Sequence, residues 1–264
     1  MINKIDVGYI GFSMTMLSEL IHSPFFNLNE CIVEENRCTN QIIAFCKTNK
    51  VKLFVAEGKK SLTKILAEKS NEKTFIMYEN GTIIEDAALR GKHIYNFHPG
   101  SFLNNRGAHP IVWSILNKDN FTEMTLHEID AAIDQGIKID TRVTEIEESD
   151  DANRLKMKTE ALIPDLLISL YNHILKREYF ERQLNRYNRR VEQPDYTVNL
   201  EEDSFEDISR KVRSQSAYNG AVLVVDGEEI FIRRVQKINQ TGQVFTEKSG
   251  KRYIEIRQTI EILT

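Results

Sequence analysis

The chain has 264 residues, of which 41% are hydrophobic and 28% are charged. This composition is typical of a soluble globular protein and excludes the disordered, fibrous and membrane-spanning classes. Its 35 lysines and arginines and 39 acidic residues give a net charge of −4, so we expect no nucleic-acid partner and no membrane contact. The three cysteines form no C-x-x-C pair, which argues against a disulfide framework. We expect a cytoplasmic protein, because no stretch resembles a signal peptide or a membrane-spanning helix.

Strand-like and helical stretches alternate over the first 150 residues, the order typical of β-α units in a parallel sheet. The predicted strands lie at residues 6–12, 31–34, 51–56, 74–78, 93–97 and 124–129. The predicted helices lie at residues 14–22, 40–49, 62–68, 83–89 and 108–117. The sequence therefore predicts a Rossmann-like α/β fold with a mainly parallel sheet and helices on both faces.

The pattern changes towards the C-terminus. Asp203 or Ser204 can cap a short helix, and Asp226-Gly227 is a hairpin turn between two strand patterns. Further strands are predicted near residues 244 and 253–256. We therefore predict two domains, a main α/β domain over residues 1–188 and a small β-rich, OB-like domain over residues 189–264.

Gly8 and Gly11 follow the first predicted strand, but their G-x-x-G spacing differs from the G-x-G-x-x-G dinucleotide fingerprint. A tight turn from strand to helix explains the pair. A ligand contact is the alternative, because ligands bind at the carboxyl ends of such strands.

Asn96 and His98 lie two residues apart at the end of a predicted strand, so both side chains share one face at the ligand-binding edge of the sheet. An asparagine amide can stabilise an oxyanion, and an imidazole can move a proton near neutral pH. Asp134, in the turn after the next strand, could orient His98. The same pattern also occurs as a purely structural hydrogen-bonded pair.

Three other histidines lie near this stretch, namely His93, His109 and His127. They lack the spacing of a metal-ligand set, so we predict no metal site and expect them to be hydrogen-bonded or solvent-facing. Ser101 lacks the flanking glycine of a G-x-S-x-G nucleophile, which argues against an esterase.

The string NFHPGSFLNNRGAHP, residues 96–110, is followed by LHEIDAAIDQGI, residues 126–137. Together they resemble the signature of the formyltetrahydrofolate-dependent formyltransferases, which typically reads N-x-H-x-S-x-L-P-x-x-R-G-x-x-P and then D-x-G-x-I. The resemblance implies that 10-formyltetrahydrofolate is the formyl donor and that residues 1–188 form the catalytic domain. It also implies a catalytic trio of Asn96, His98 and Asp134.

The resemblance further implies two sets of binding residues. The folate-binding set comprises Met77, Tyr78, Gly81, Ile83, Ile129 and Asp130. The set near the acceptor substrate comprises Pro99, Gly100, Ser101, Arg106 and Gly107. The sequence departs from the family pattern at Leu103, which has no proline after it, and at Asn105, where an aromatic residue is common. These departures concern loop shape and substrate choice.

The acceptor is inferred from two features. His98-Pro99-Gly100 is more similar to sugar N-formyltransferases than to the initiator-tRNA enzymes. Residues 188–264 contain 12 lysines and arginines against 13 acidic residues, so this part lacks the basic surface that the tRNA enzymes of the family use. We therefore predict a nucleotide-linked amino-deoxysugar as acceptor. Three alternatives remain, namely methionyl-tRNA as the acceptor, a non-catalytic folate-binding module, and hydrolytic deformylation with water as the nucleophile. The sequence is also compatible with a homodimer.

Overall fold

The computed structural model describes residues 3–130, 136–176, 187–237, 251–256 and 258–263. Within these residues, no helix combines the length and hydrophobicity needed to cross a membrane. The chain forms two compact units. The first comprises Met1–Arg106, Glu123–Val143 and Thr159–Arg186, and the second comprises Gly107–Thr122, Thr144–Lys158 and Tyr187–Thr264. The domain boundary predicted at residue 188 stays a prediction.

The first eight strands are β1 Ile5–Gly11, β2 Phe26–Glu34, β3 Lys52–Ala56, β4 Thr74–Tyr78, β5 His93–His98, β6 Arg106–Gly107, β7 Phe121–Glu128 and β8 Ile137–Glu145. The later strands are β9 Tyr187–Asn188, β10 Thr197–Val198, β11 Ala221–Val225, β12 Glu228–Ile232, β13 Arg234–Lys237, β14 Lys251–Ile256 and β15 Gln258–Leu263. The helices are α1 Met14–His22, α2 Asn40–Thr48, α3 Gly58–Lys64, α4 Asp86–Leu89, α5 Pro110–Leu116, α6 Ala152–Glu160, α7 Ile163–Lys176, α8 Gln193–Tyr196 and α9 Phe205–Ser214.

Seven strands form the central sheet, in the order β3-β2-β1-β4-β5-β7-β8. The pairs β1-β2, β2-β3, β1-β4 and β4-β5 are parallel, whereas β5 and β7 are antiparallel. The carboxyl ends of β1, β4 and β5 therefore lie at one edge of the sheet, where α/β folds bind ligands. The predicted mainly parallel, Rossmann-like sheet is confirmed.

Helices cover both faces of this sheet, as predicted. On one face, Leu17 of α1, Ile42 of α2 and Leu167 of α7 belong to the largest apolar cluster. On the other face, Leu62 of α3 and Ala88 of α4 pack in a second cluster. Burial of apolar side chains on both faces accounts for the continuous hydrophobic runs in the parallel strands.

Several predicted boundaries are wrong. Strand β2 begins at Phe26 rather than residue 31, because its first half alternates buried and exposed side chains. The helix predicted over residues 83–89 is only Asp86–Leu89. The helix predicted at residues 62–68 begins at Gly58 and ends at Lys64, and a wider helical turn follows. Strand β8 was not predicted.

Gly8 and Gly11 both permit close packing between β1 and β4. A Cβ at Gly8, which lies inside β1, would be 2.2 Å from the ring of Phe75. Gly11 ends the strand with φ +144°, and a Cβ there would be 1.8 Å from the carbonyl oxygen of Tyr78. Ser13 then caps α1. The pair therefore serves the packing of two central strands.

The second unit contains α9 and the hairpin of β11 and β12. Asp226 and Gly227 have φ values of 53° and 82°, the positive values that a two-residue hairpin turn requires, so the predicted hairpin is confirmed. Ile208 and Val212 of α9 are buried against Leu223 of β11. The C-terminal strands form two three-stranded sheets, β10-β11-β12 and β13-β15-β14. The strand predicted near residue 244 lies outside the described residues.

The N-terminus of α9 has a reciprocal cap. The Oγ of Ser204 accepts a hydrogen bond from the backbone N of Asp207 at 3.1 Å, and the Asp207 carboxylate accepts one from the backbone N of Ser204 at 3.2 Å. The hydrogen bonds from Ser204, together with Arg210, lower the pKa of Asp207 to about 2 despite partial burial. The sequence allowed Asp203 or Ser204 as the N-cap of α9, and in the structure the N-cap is Ser204.

We expect Ser204→Ala to lower the free energy of unfolding by about 1 kcal/mol, because one backbone N–H at the start of α9 loses its acceptor. Urea unfolding measures the change. The matched control is Ser209→Ala, which removes a hydroxyl from the interior of the same helix and should change stability by less than about 0.5 kcal/mol. Equal losses in both variants would contradict the assignment of the cap.

Asp150 is fully buried and is the centre of an ion-pair cluster in the second unit. Lys158 Nζ lies 2.5 Å from one carboxylate oxygen, and Arg154 Nε lies 3.0 Å from the other. The backbone N of Glu147 donates to the same carboxylate at 2.9 Å. Burial alone would raise the pKa of Asp150, but the hydrogen bonds from Lys158 and Glu147 outweigh it and lower the pKa.

We expect Asp150→Asn to lower the free energy of unfolding by about 3 kcal/mol at neutral pH, because it breaks a buried ion pair. A carboxyl group with a lowered pKa stabilises the fold above its ordinary pKa, and this stability is lost as the pH falls through the lowered value. The difference from the wild type should therefore shrink below about pH 4. A difference equally large at pH 3 and pH 7 in urea unfolding would contradict this role.

Candidate active site

Asn96 and His98 lie on one face of β5, as the alternation of the strand predicts. Tyr95, which precedes Asn96, and Phe97, which lies between the two, pack in the large apolar cluster on the opposite face. His98 is the last residue of the strand and is only 5% exposed, whereas Asn96 is half-buried. Both polar side chains therefore lie at the carboxyl end of β5, at the edge of the sheet where ligands bind.

The ring of His98 is held by the loop that follows it. Its Nε2 lies 2.8 Å from the carbonyl oxygen of Asn105. A carbonyl oxygen only accepts hydrogen bonds, so Nε2 carries the proton, and the neutral ring then has its lone pair on Nδ1. Nδ1 is therefore the basic nitrogen of the neutral ring.

Backbone and hydroxyl contacts fix this loop. The carbonyl oxygen of Gly100 accepts a hydrogen bond from Thr125 Oγ1 at 2.8 Å. The backbone N of Asn105 donates to the carbonyl oxygen of Ser101 at 2.8 Å, and the backbone N of Leu103 donates to Ser101 Oγ at 3.1 Å. The loop thus holds the Asn105 carbonyl in place, which in turn orients His98.

The residues predicted near the acceptor have different environments. Gly100, Ser101 and Arg106 are buried, whereas Pro99 is half-buried. Gly107 has φ +94° and permits close approach to Asn188, whose carbonyl oxygen would lie 2.4 Å from a Cβ. Gly107 and Asn188 both belong to the second unit. Ser101 has its hydroxyl in a loop contact, and the acceptor-binding role of this set stays a prediction.

The residues predicted to bind folate lie around the ends of β4 and β5. Met77 pairs with Asn96 across the two parallel strands. Met77 and Ile129 are half-buried against the second apolar cluster, and Ile83 is 51% exposed. Gly81 is exposed in the β4-α4 loop, and Asp130 is partly buried after β7. Their binding roles stay predictions.

Tyr78, the sixth predicted folate residue, is fully buried in a polar network of the first unit. The hydroxyl of Tyr9 donates to the carbonyl oxygen of Tyr78 at 3.0 Å and accepts from the backbone N of Ser13 at 3.0 Å. The hydroxyls of Thr15 and Tyr78 contact the carboxylate of Glu160 at 3.1 and 3.3 Å. Burial raises the pKa values of Tyr9 and Tyr78 well above the usual range of a tyrosine hydroxyl. The network fixes the start of the β4-α4 loop.

Asp134, the third member of the predicted trio, lies outside the described residues, so its position relative to His98 stays a prediction. Gly136 follows it in the sequence and is buried beside β7. A Cβ at Gly136 would lie 1.6 Å from the carbonyl oxygen of Glu128. Only glycine therefore fits at position 136.

The other histidines have separate environments. His93 Nδ1 lies 2.7 Å from Glu128 Oε1, and its side chain is 63% exposed. His109 has φ +57° and is half-buried, and burial, reinforced by Arg190, lowers its pKa. His127 is fully buried. Among the described residues, no group of three metal-ligating side chains comes together.

His127 was not predicted as a site residue, but it contacts Asn96. Its Nε2 lies 3.0 Å from the side-chain nitrogen of Asn96. Strands β5 and β7 are antiparallel neighbours, with His127 directly opposite Asn96 and Thr125 opposite His98. The signal available in the sequence was the alternation of Thr125 and His127 on β7, which repeats the two-residue spacing of Asn96 and His98.

Comparisons with known proteins bear on this site. No protein-family model matches the chain. A methionyl-tRNA formyltransferase of Prochlorococcus marinus is 28% identical over 131 residues, which are 46% of this chain and 40% of that protein. The structure of HypX from Aquifex aeolicus in complex with tetrahydrofolic acid has a TM-score of 0.72 at 17% identity, covering 97% of this chain and 43% of HypX. The structure of WlaRD, a sugar 3N-formyl transferase, in the presence of dTDP and 5-N-formyl-THF has a TM-score of 0.69 at 18% identity. The match covers 98% of this chain and 97% of WlaRD.

The chain spans about half the length of the curated relatives it matches. The structural matches have low sequence identity and therefore support the fold, while the sequence relatives connect that fold with formyltransferases. Asn96 and His98 begin the motif by which the chain resembles these enzymes. The chain is therefore similar to formyltransferases both in sequence and in fold.

Proposed function

We propose that the protein transfers the formyl group of 10-formyltetrahydrofolate to the amine of a nucleotide-linked amino-deoxysugar. The observation that carries the proposal is the placement of Asn96 and His98 side by side at the carboxyl end of β5, with the His98 ring oriented by the Asn105 carbonyl. An amide donor and a neutral imidazole are the two groups that acyl transfer to an amine requires.

In the proposed reaction, 10-formyltetrahydrofolate supplies the electrophilic formyl carbon. Asn96 donates an N–H to the formyl oxygen, where negative charge develops as the amine attacks. His98 accepts a proton from the attacking amine, the bond between the formyl carbon and N10 of the folate breaks, and N10 regains a proton, so that tetrahydrofolate leaves. Asp134 is proposed to stabilise the resulting positive charge on His98, as the resemblance implies.

The residues at the ends of β4 and β5 fit a folate. Met77 and Ile129 present half-buried apolar side chains, and Ile83 is an exposed apolar residue of the β4-α4 loop. These side chains offer apolar contact to a flat ring, while backbone groups near Gly81 can meet its polar edge. The network of Tyr9, Tyr78 and Glu160 described above would keep this loop in position.

The charges of the second unit favour a small acceptor over tRNA. Arg189 lies 2.6 Å from Asp195, and Lys211 lies 2.6 Å from Asp203. Arg210 pairs with Asp207 in the same way. Cations neutralised by neighbouring carboxylates contribute little to binding a phosphate backbone. WlaRD, which the fold matches over nearly its whole length, is a sugar formyltransferase crystallised with dTDP.

Methionyl-tRNA is the second candidate acceptor, because the sequence relatives are methionyl-tRNA formyltransferases. Both candidates share the same donor and the same chemistry at Asn96 and His98. They differ only in what recognises the rest of the acceptor, and an assay with both acceptors separates them.

The release of tetrahydrofolate from 10-formyltetrahydrofolate tests the chemistry itself. We expect rapid release only when an amino-sugar nucleotide is present. Release without any amine would support hydrolytic deformylation instead. Folate binding without release under any condition would support a non-catalytic module. The control for the amine requirement is the same sugar nucleotide with a hydroxyl in place of the amine.

A further inference from the structure

His127 is buried beside the candidate active site. It is 0% exposed and lies on β7 opposite Asn96 on β5. Its Nε2 is 3.0 Å from Asn96 Nδ2. Its ring also packs against the ring of Phe102, with 4.6 Å between the centroids and 56° between the planes. Neither the catalytic trio nor the binding residues predicted from the sequence include it.

We propose that His127 is a positioning residue for Asn96, which holds the side-chain amide so that an N–H, and not the carbonyl oxygen, is directed at the formyl oxygen. The inference rests on the proposed function, since it assigns Asn96 the role of oxyanion donor. His127 itself does not touch the reacting atoms.

The hydrogen-bonding partners of His127 determine which tautomer its ring adopts. The Asn96 nitrogen can only donate, so His127 Nε2 is the acceptor and has no proton. The ring proton is then on Nδ1, which lies 3.4 Å from the carbonyl oxygen of Glu128, an acceptor. Both contacts are consistent with one neutral tautomer. The ring of Phe102 restricts rotation of this imidazole.

This contact controls which atom Asn96 presents. The amide nitrogen has two N–H groups that diverge in one plane, so donating one to His127 leaves the other directed elsewhere. Rotation of the amide by half a turn would place its oxygen against the Nε2 lone pair, which is repulsive. His127 therefore selects the rotamer that can stabilise an oxyanion. A donor fixed before the reaction needs no reorganisation in the transition state.

The test compares three variants of the whole chain. His127→Leu removes the acceptor while keeping an apolar side chain of similar size, and we expect kcat to fall by about 10- to 100-fold with little change in the KM for 10-formyltetrahydrofolate. His127→Gln retains an acceptor and should recover most of the loss. His93→Leu, at the exposed histidine of β5, is the control and should behave like the wild type. A near wild-type kcat for His127→Leu would overturn the proposal.

A double-mutant cycle separates positioning from a general packing effect. If His127 acts through Asn96, then His127→Leu should cause little further loss of kcat in an Asn96→Ala background. A loss as large as in the wild-type background would overturn the proposal, because the two residues would then act independently. Melting temperatures of all variants show whether each one folds.

Nuclear magnetic resonance tests the contact without any acceptor substrate. In ¹⁵N-labelled protein, the side-chain amide of Asn96 is identified by its disappearance in Asn96→Ala. We expect its two proton resonances to be widely separated in the wild type and in His127→Gln, and to converge in His127→Leu. Unchanged resonances in His127→Leu would overturn the positioning role. If no acceptor is formylated, the proposed function fails, while this measurement still decides the contact.

Discussion

His98→Asn should lower kcat by a factor of about 10² to 10⁴, the usual effect of losing a general base. Asparagine is close to histidine in size and can still donate to the Asn105 carbonyl, which His98 Nε2 contacts at 2.8 Å in the wild type. It has no atom that can take a proton at neutral pH. The loss should therefore appear in kcat, with folate binding largely kept.

Single-turnover formation of the formylated product measures this effect directly, because product release does not then limit the rate. His22→Asn is the matched control, since His22 ends α1 and its ring contacts the carbonyl oxygen of Ser18 in the same helix. A His98→Asn variant that folds normally and keeps near wild-type turnover would show that His98 is not the base. Asp134→Asn should cause a loss of similar order if it stabilises the charged imidazole.

Asn96→Ala should lower kcat by a factor of about 10² to 10³, because one oxyanion donor is removed. Asn96 is half-buried, and its side chain contacts His127. Truncation to alanine removes this contact but leaves the backbone pairing of β5 in place. Formylation rates at saturating donor and acceptor measure the effect. Tetrahydrofolate binding should change little, because Asn96 is proposed to act only where charge develops.

Asn96→Asp gives a sharper comparison than truncation. The carboxylate has nearly the same shape as the amide, but it accepts hydrogen bonds and carries negative charge. It should therefore repel a developing oxyanion, and the loss of kcat should be at least as large as in Asn96→Ala. A carboxylate variant more active than the alanine variant would contradict a donor role for Asn96.

The sequence was sufficient to predict Asn96 and His98 on one face, because alternation along a strand depends only on residues close in the chain. The contact between His98 and Asn105 depends on the fold of a loop, and that between Asn96 and His127 depends on an antiparallel pairing between β5 and β7. Neither follows from periodicity, since strand order in the sheet is a property of the whole fold.

The same distinction explains the errors in the helices and strands. Strand β2 begins at Phe26, where Asn27 and Asn29 face outwards and bond to Asp6 and Glu72. Polar residues with these long-range partners resemble a loop when only the neighbouring sequence is considered. Tertiary contacts therefore extended a strand that its local sequence did not indicate.

A comparison of the two candidate acceptors in the same assay decides which of them the protein formylates. Purified protein with 10-formyltetrahydrofolate is offered a panel of 3-amino and 4-amino deoxysugar nucleotides and, separately, methionyl-tRNA, with product identified by a mass gain of one formyl group. We predict formylation of at least one sugar nucleotide, abolished by His98→Asn, and none of methionyl-tRNA near physiological salt. Efficient formylation of methionyl-tRNA, with no sugar nucleotide accepted, would contradict the proposed acceptor.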